Sequence, residues 1–148
     1  MNPKIPPLVI VLIGALLMWL LDGLLPMPAL PGMPMTAILI ALAGVAVCAA
    51  GVLTFRRAGT TVNPLEPARA SALVVRGIYR ATRNPMYLGF ALLLVAWGVW
   101  LSNAVALLIV PAFVLYMNRW QIAPEERALE ALFGDSYRAY RESVRRWI

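Results

Sequence analysis

The chain offers seven acidic residues against thirteen basic ones, and two of the seven, Glu125 and Glu126, are adjacent. Pro124 opens a helix just before them, and the N-terminal dipole of that helix favours anions. The pair reads either as a charged first turn or as a carboxylate site for a polar or cationic ligand. Some forty residues earlier, Gly77 to Gly89 gathers Tyr79, Arg80, Arg83, Asn84 and Tyr87 around Pro85, with Arg76 just outside. Asn84 is placed to cap a helix by accepting from free backbone N–H groups, and Pro85 suits the first helical turn. This junction reads either as a membrane-helix start with interfacial anchors or as one wall of a ligand site. A carboxylate pair facing a segment of arginines and tyrosines suits a polar or cationic ligand. The chain has no histidine, which removes the usual general base, metal ligand and catalytic triads. Its one cysteine, Cys48, lies in an apolar run and reads as a small packed thiol. No Gly-x-Gly-x-x-Gly after a strand, no phosphate-binding Gly-Lys-Ser/Thr loop and no metal-ligand spacing occurs.

The elements that must position these groups are apolar. Of 148 residues, 61% are hydrophobic and 14% charged, against about 25% charged in an average soluble domain. A soluble fold this small cannot bury that much apolar surface, so the composition predicts an all-α integral membrane protein, a single domain over residues 1–148. Apolar runs predict four transmembrane helices at about 8–25, 35–55, 85–101 and 104–118. The last two are short for full spans and require tilt or thinning. The run at Lys4 onward reads as a span and not a cleaved signal. Asp22 is expected at headgroup level, and Trp97 and Trp100 at the interface. Ala41, Gly44, Ala46, Cys48, Ala49 and Gly51 would admit a neighbouring helix closely, and this face is compatible with a homodimer. Pro111 is expected to kink the fourth span, freeing the Leu107 carbonyl.

All thirteen Lys and Arg residues fall before the first run, between 56 and 83, or from Arg119 onward. The positive-inside rule therefore places both termini in the cytoplasm, with a bacterial inner membrane as the expected location. The arginines flank apolar runs, which argues for the lipid bilayer as a partner and against nucleic acid. Two C-terminal helices are expected outside the membrane core. The first ends at Gly134. The second presents Tyr137, Tyr140, Val144 and Trp147 on one face and Arg138, Arg141 and Arg145 on another, a pattern that suits either anionic headgroups or packing back onto the bundle. Glu130 and Glu142 are expected to pair with nearby arginines, and Glu66 reads as loop surface or the lip of a site.

Asn63-Pro64, Leu73-Val74, Gly77-Ile78-Tyr79-Arg80, Arg83-Asn84-Pro85-Met86-Tyr87-Leu88-Gly89, Glu125 to Leu129, Phe133 to Tyr137 and Tyr140 to Arg145 occur in an order that resembles the isoprenylcysteine carboxyl methyltransferase family and the related phospholipid methyltransferases of bacterial type. The likeness covers about residues 59–147. It implies a membrane methyltransferase that uses S-adenosylmethionine, with S-adenosylhomocysteine as product. The cofactor would enter from the cytosol and a lipophilic or small acceptor from the bilayer. It further implies cofactor contacts at Tyr79, Arg83, Asn84, Pro85, Tyr87, Leu88, Glu125, Glu126, Tyr137, Tyr140 and Arg145. Glu125, Glu126 and Arg83 are the candidates for catalysis, and no metal is implied. Asn84 departs from the eukaryotic pattern, which has histidine there; asparagine keeps hydrogen bonding but not proton transfer. Methyl transfer from a sulfonium needs alignment and a dry site more than a strong side-chain nucleophile. The acceptor stays open among prenylcysteine, phospholipid amines, isoprenoid acids and thiols. A nicotinamide-dependent membrane reductase of the sterol-reductase type, or a non-enzymatic membrane scaffold, are the competing classes.

Overall fold

The structure is a computed structural model and describes residues 5–29, 33–58 and 73–148; Asn63, Pro64 and Glu66 lie outside this range. Helix α1, Pro7–Leu24, has proline in its first turn and buries one stripe of Pro7, Val11, Gly14 and Met18. Leu8, Leu12 and Leu16 on its other side are exposed. A helix that is apolar all round yet packed along a single stripe is suited to hydrocarbon as solvent. The same holds for α2, Met33–Arg57, whose buried residues Ala37, Gly44 and Gly51 recur every seven positions.

That stripe receives α3, Pro85–Trp100. The two backbones touch where Gly44 meets Gly89: a Cβ on Gly89 would stand 2.6 Å from the Gly44 carbonyl oxygen. Nearby, the Cys48 thiol donates to the Met86 carbonyl at 3.4 Å. Of the expected small-residue face, Gly44, Cys48 and Gly51 therefore serve α3, whereas Ala46 and Ala49 are exposed. The half-buried Trp97 donates its indole N–H to the Ala15 carbonyl of α1 at 3.1 Å, which gives that polar tip an acceptor within the bundle.

Asn103, only 1% exposed, closes the far end of the bundle. Its Oδ1 accepts from the N–H groups of Val105 and Ala106, both at 3.0 Å. Its Nδ2 donates to Asp22 Oδ1 at 3.0 Å and to the Leu25 carbonyl at 2.9 Å. One side chain thus caps the next helix and ties down the end of α1.

From Ala106 the expected fourth apolar run passes without a loop into the first C-terminal helix, and the break from the second falls at Gly134, as expected. A 3-10 turn, Ala106–Leu108, leads into α4, Ile109–Tyr116. Pro111 thus falls in the first turn of α4, where its missing N–H breaks no mid-helix bond, and the expected kink is replaced by that tight turn. A π-helical segment, Met117–Ile122, joins α4 to α5, Ala123–Ser143. The Ala123 N–H reaches back five residues to the Asn118 carbonyl. This wider turn carries the helix past Pro124, which has no N–H to continue an α-helical ladder.

Gly134 interrupts α5 with φ 50° and ψ −124°, a conformation open to glycine and costly for other residues. The bend brings Glu130 to Arg138 at 2.9 Å and Arg141 at 3.1 Å; along a straight helix these partners would be roughly 12 and 16 Å apart. The helix ends at Ser143, and Val144 is extended. Val144 and Trp147 therefore do not continue the helical face of Tyr137 and Tyr140, as the spacing suggested. The terminal segment instead folds back, because buried polar groups at the start of α3 receive its backbone carbonyls.

Two cores result. One joins Val11, Met18, Leu94, Phe113, Met117 and Ile122 within the bundle. The other joins Val74, Tyr79, Tyr137 and Tyr140 at the end where α3 begins. The described residues are all-helical, without strands, and include helices long and apolar enough to cross a membrane. This is the architecture of an integral membrane protein.

Gly89→Val should force α2 and α3 apart and lower stability by about 1–3 kcal/mol or more, read as a fall in the thermal midpoint in detergent. Gly23→Ala, where an added Cβ meets nothing within 4 Å, should leave the midpoint unchanged or raise it.

Candidate active site

Loop 81–84, the first turns of α3, the π segment, α5 and the terminal residues 144–147 converge on Glu126. This carboxylate is 9% exposed. Arg83 approaches Oε1 at 3.2 Å, and Arg146 forks onto both oxygens, at 3.1 Å from Nε and 2.5 Å from Nη2. Burial makes the pairing necessary, since an ion removed from water must be compensated by charge and hydrogen bonds. The compensation is uneven. Arg83 has a side chain only 10% exposed, and its Nε and Nη1 are buried without a hydrogen-bond partner among the described residues. They point to different sides of the guanidinium, so each can serve a separate acceptor, a carboxylate oxygen among them.

The other member of the acidic pair faces elsewhere. Tyr87 donates its hydroxyl proton to Glu125 Oε1 at 2.8 Å, so the two neighbouring carboxylates serve different walls, as successive helical positions must. Tyrosines surround the cluster. The Tyr140 hydroxyl donates to the Tyr79 carbonyl at 2.7 Å, and Phe55 of α2 stands edge-on to the Tyr79 ring. Burial pushes the Tyr79, Tyr137 and Tyr140 hydroxyls up, Tyr137 to about 12. Tyr79 is raised further by the Tyr140 and Glu125 charges, and Tyr137 by Glu126.

Asn84 holds the N-cap position of α3 but makes no side-chain cap. Its Nδ2 instead donates to the Arg146 carbonyl at 2.9 Å, and Thr82 Oγ1 donates to the same oxygen at 3.3 Å. The Arg83 N–H donates to the Arg145 carbonyl at 3.0 Å. The amide has given up capping because a buried carbonyl lies within reach, while Thr82 Oγ1 takes the Asn84 N–H at 3.2 Å.

The structure therefore brings together Tyr79, Arg83, Asn84, Pro85, Tyr87, Glu125, Glu126, Tyr137 and Tyr140. Leu88 is half-buried on the same helix. Arg145 enters only through its carbonyl; its side chain is exposed, and the guanidinium that reaches the acidic pair belongs to Arg146. Sequence reasoning missed Arg146, Thr82 and Asn118, whose Oδ1 accepts from the Trp147 indole at 3.0 Å. Asn118, the polar residue that closes the fourth apolar run just before Arg119, was the visible signal. Among the described residues no group of His, Cys, Asp and Glu is arranged to hold a metal.

A membrane-helical protein with a buried, charge-paired site at one end of its bundle is the class that fold and site define. Residues 33–136 match the phospholipid methyltransferase family, and the chain belongs to that family. It is similar to protein-S-isoprenylcysteine O-methyltransferase A of Arabidopsis thaliana, 33% identical over 95 residues, which are 64% of this chain and 48% of that protein. It is also similar to protein-S-isoprenylcysteine O-methyltransferase of Schizosaccharomyces pombe, 36% identical over 72 residues, 49% of this chain and 30% of that protein. The chain thus spans about half and about a third of those two relatives. An uncharacterized protein of Haemophilus influenzae is 52% identical over 63 residues, its entire length and 43% of this chain.

Buried tyrosines give a pH signature. An exposed tyrosine ionises near pH 10, and a folded state that raises this value binds the proton more tightly than the unfolded chain. The stability contribution is therefore complete below about pH 10 and falls as pH rises through the Tyr137 value of about 12. A near-ultraviolet titration should show Tyr79, Tyr137 and Tyr140 resisting ionisation until the protein unfolds.

Proposed function

We propose that the protein is an integral membrane methyltransferase that uses S-adenosylmethionine. The observation that carries this reading is the buried Arg83 guanidinium, with two N–H donors unpartnered among the described residues beside a carboxylate pair. A ligand with an amino-acid head fits this donor set. Arg83 would take its carboxylate, assisted by Arg146, and Glu125 or Glu126 its ammonium. When bound, S-adenosylmethionine supplies an activated methyl group, transferred as its carbon–sulfur bond breaks and a bond to the acceptor forms. The chain's own task is to orient and to exclude water. Tyr79, Tyr137 and Tyr140 wall the site, and Pro85 and Leu88 set the start of α3 against it. Asn84 and Thr82 hold the terminal segment in place, which keeps Arg146 on Glu126.

In this reading α1, α2, α3 and the stretch of about 104–118 are four spans. The site lies at the cytosolic face with the bent α5, both termini are cytoplasmic, and the membrane is a bacterial inner membrane. The grouping of every Lys and Arg outside the 26–34 connector and the 102–103 turn supports this orientation. Residues 1–148 act as one domain, with cofactor contacts within about 59–147. A lipophilic or small acceptor would reach the site from the bilayer, as the exposed apolar faces of α1 and α2 suggest for the molecule's surroundings.

Calorimetric titration with S-adenosylhomocysteine should show binding. Arg83→Met and Glu126→Gln should each weaken it about 10-fold or more, the value of a charge-assisted hydrogen bond. Absence of binding by folded wild-type protein would overturn the reading.

A further inference from the structure

Arg146 forks onto Glu126 from beyond the last turn of α5, where no helix holds its backbone. A long arginine side chain has many rotamers and keeps one only where further contacts fix it. Its third nitrogen supplies such a contact: Nη1 donates to Asn118 Oδ1 at 3.4 Å. The Trp147 indole N–H donates to the same oxygen at 3.0 Å. Guanidinium and indole nitrogens only donate, so the amide must present its oxygen to both, and its two lone pairs are then filled. Successive side chains of an extended chain point to opposite sides; here the chain bends at Arg146, and the two converge. Trp147 also packs against the core of the bundle, so Asn118 seats the segment beside its apolar anchor. The π-helical segment Met117–Ile122 puts Asn118 in place for this. On an unbroken α-helix, positions 118 and 126 would lie about 80° apart around the axis. A π turn holds roughly one residue more than an α turn, which takes back most of that angle. Both side chains can then reach one guanidinium.

Resting on the methyltransferase reading, we propose that Asn118 is a positioning residue for binding of the methyl donor: it holds Arg146 on Glu126 and so keeps Arg83 free for the ligand. Arg83 already gives Nη2 to Glu126 Oε1. Its Nε, on the same edge of the guanidinium, has no partner among the described residues. Arg146 occupies Oε2 and shares Oε1. With Arg146 swung away, Oε2 would draw the Arg83 Nε into the fork that Arg146 now makes, because a buried carboxylate must be paired. One of the two N–H groups left for the ligand's carboxylate would then be spent inside the protein. Asn118 touches no ligand in this scheme and acts through Arg146 alone.

The test is calorimetric titration of the full chain in detergent with S-adenosylhomocysteine. Asn118→Leu should weaken binding about tenfold, as for a lost hydrogen bond to a charged group, with the stoichiometry per folded protein unchanged. Arg146→Met should also lose about tenfold. Adding Asn118→Leu to it should cost no more than about twofold further, because the residue that Asn118 positions is gone. A merely structural asparagine would instead lower the thermal midpoint and the active fraction in both backgrounds, leaving the affinity of the folded fraction alone. Where Asn118→Leu does not fold, Arg146→Lys decides: a compact ammonium can serve Glu126 but cannot also span to Asn118, so it too should lose about tenfold. Wild-type affinity in Asn118→Leu, in Arg146→Met or, where it stands in, in Arg146→Lys would overturn the role of Asn118, as would losses that add in the double variant. If the wild type binds S-adenosylhomocysteine in those cases, the methyltransferase reading stands without it; if the folded wild type does not bind, both fall.

Discussion

A buried carboxylate held by two guanidinium groups organises the functional end of this molecule. Glu126 receives Arg83 from the loop before α3 and Arg146 from the terminal segment. Arg83 could not be withdrawn from water without that anion, and the anion could not be buried without its two arginines. The arrangement joins three parts of the chain separated by 43 and 20 positions, residues 83, 126 and 146. It also leaves the site richer in donors than acceptors, since two Arg83 N–H groups have no partner among the described residues. Structural ion pairs usually satisfy their members; this one leaves capacity for an anion.

The helices supply what that cluster needs. Contact between Gly44 and Gly89 fixes the height of α3 against α2, and so fixes where Pro85, Asn84 and Arg83 enter the site. The π-helical segment carries the chain past Pro124 without ending the helix, so Glu125 and Glu126 remain in register with the buried residues before them. Beyond Gly134 the helix turns, and Tyr137 and Tyr140 come back over Tyr79. Each device answers a local constraint: close backbone approach, a missing N–H, a positive φ. Together they bring polar groups from distant positions around Glu126.

Much of this was legible in the sequence because bilayer solvation acts on composition and periodicity alone. Apolar runs bounded by basic residues define α1, α2 and α3 to within a few residues, since hydrocarbon rewards length and penalises charge wherever the helix packs. Gly134 as a break and Tyr79, Arg83, Tyr87, Glu125, Glu126, Tyr137 and Tyr140 as members of one group were also readable, the first from backbone chemistry and the others from motif order. What only the tertiary structure decided was the partner of each polar group. Asn84 donates to the Arg146 carbonyl and does not cap, Trp97 donates to Ala15, and Arg146 rather than Arg145 reaches Glu126. Hydrogen bonds and ion pairs depend on distance and direction in space, and a change of one residue along an extended segment turns a side chain to the opposite side. Sequence can supply the donors and acceptors; the folded chain chooses among them.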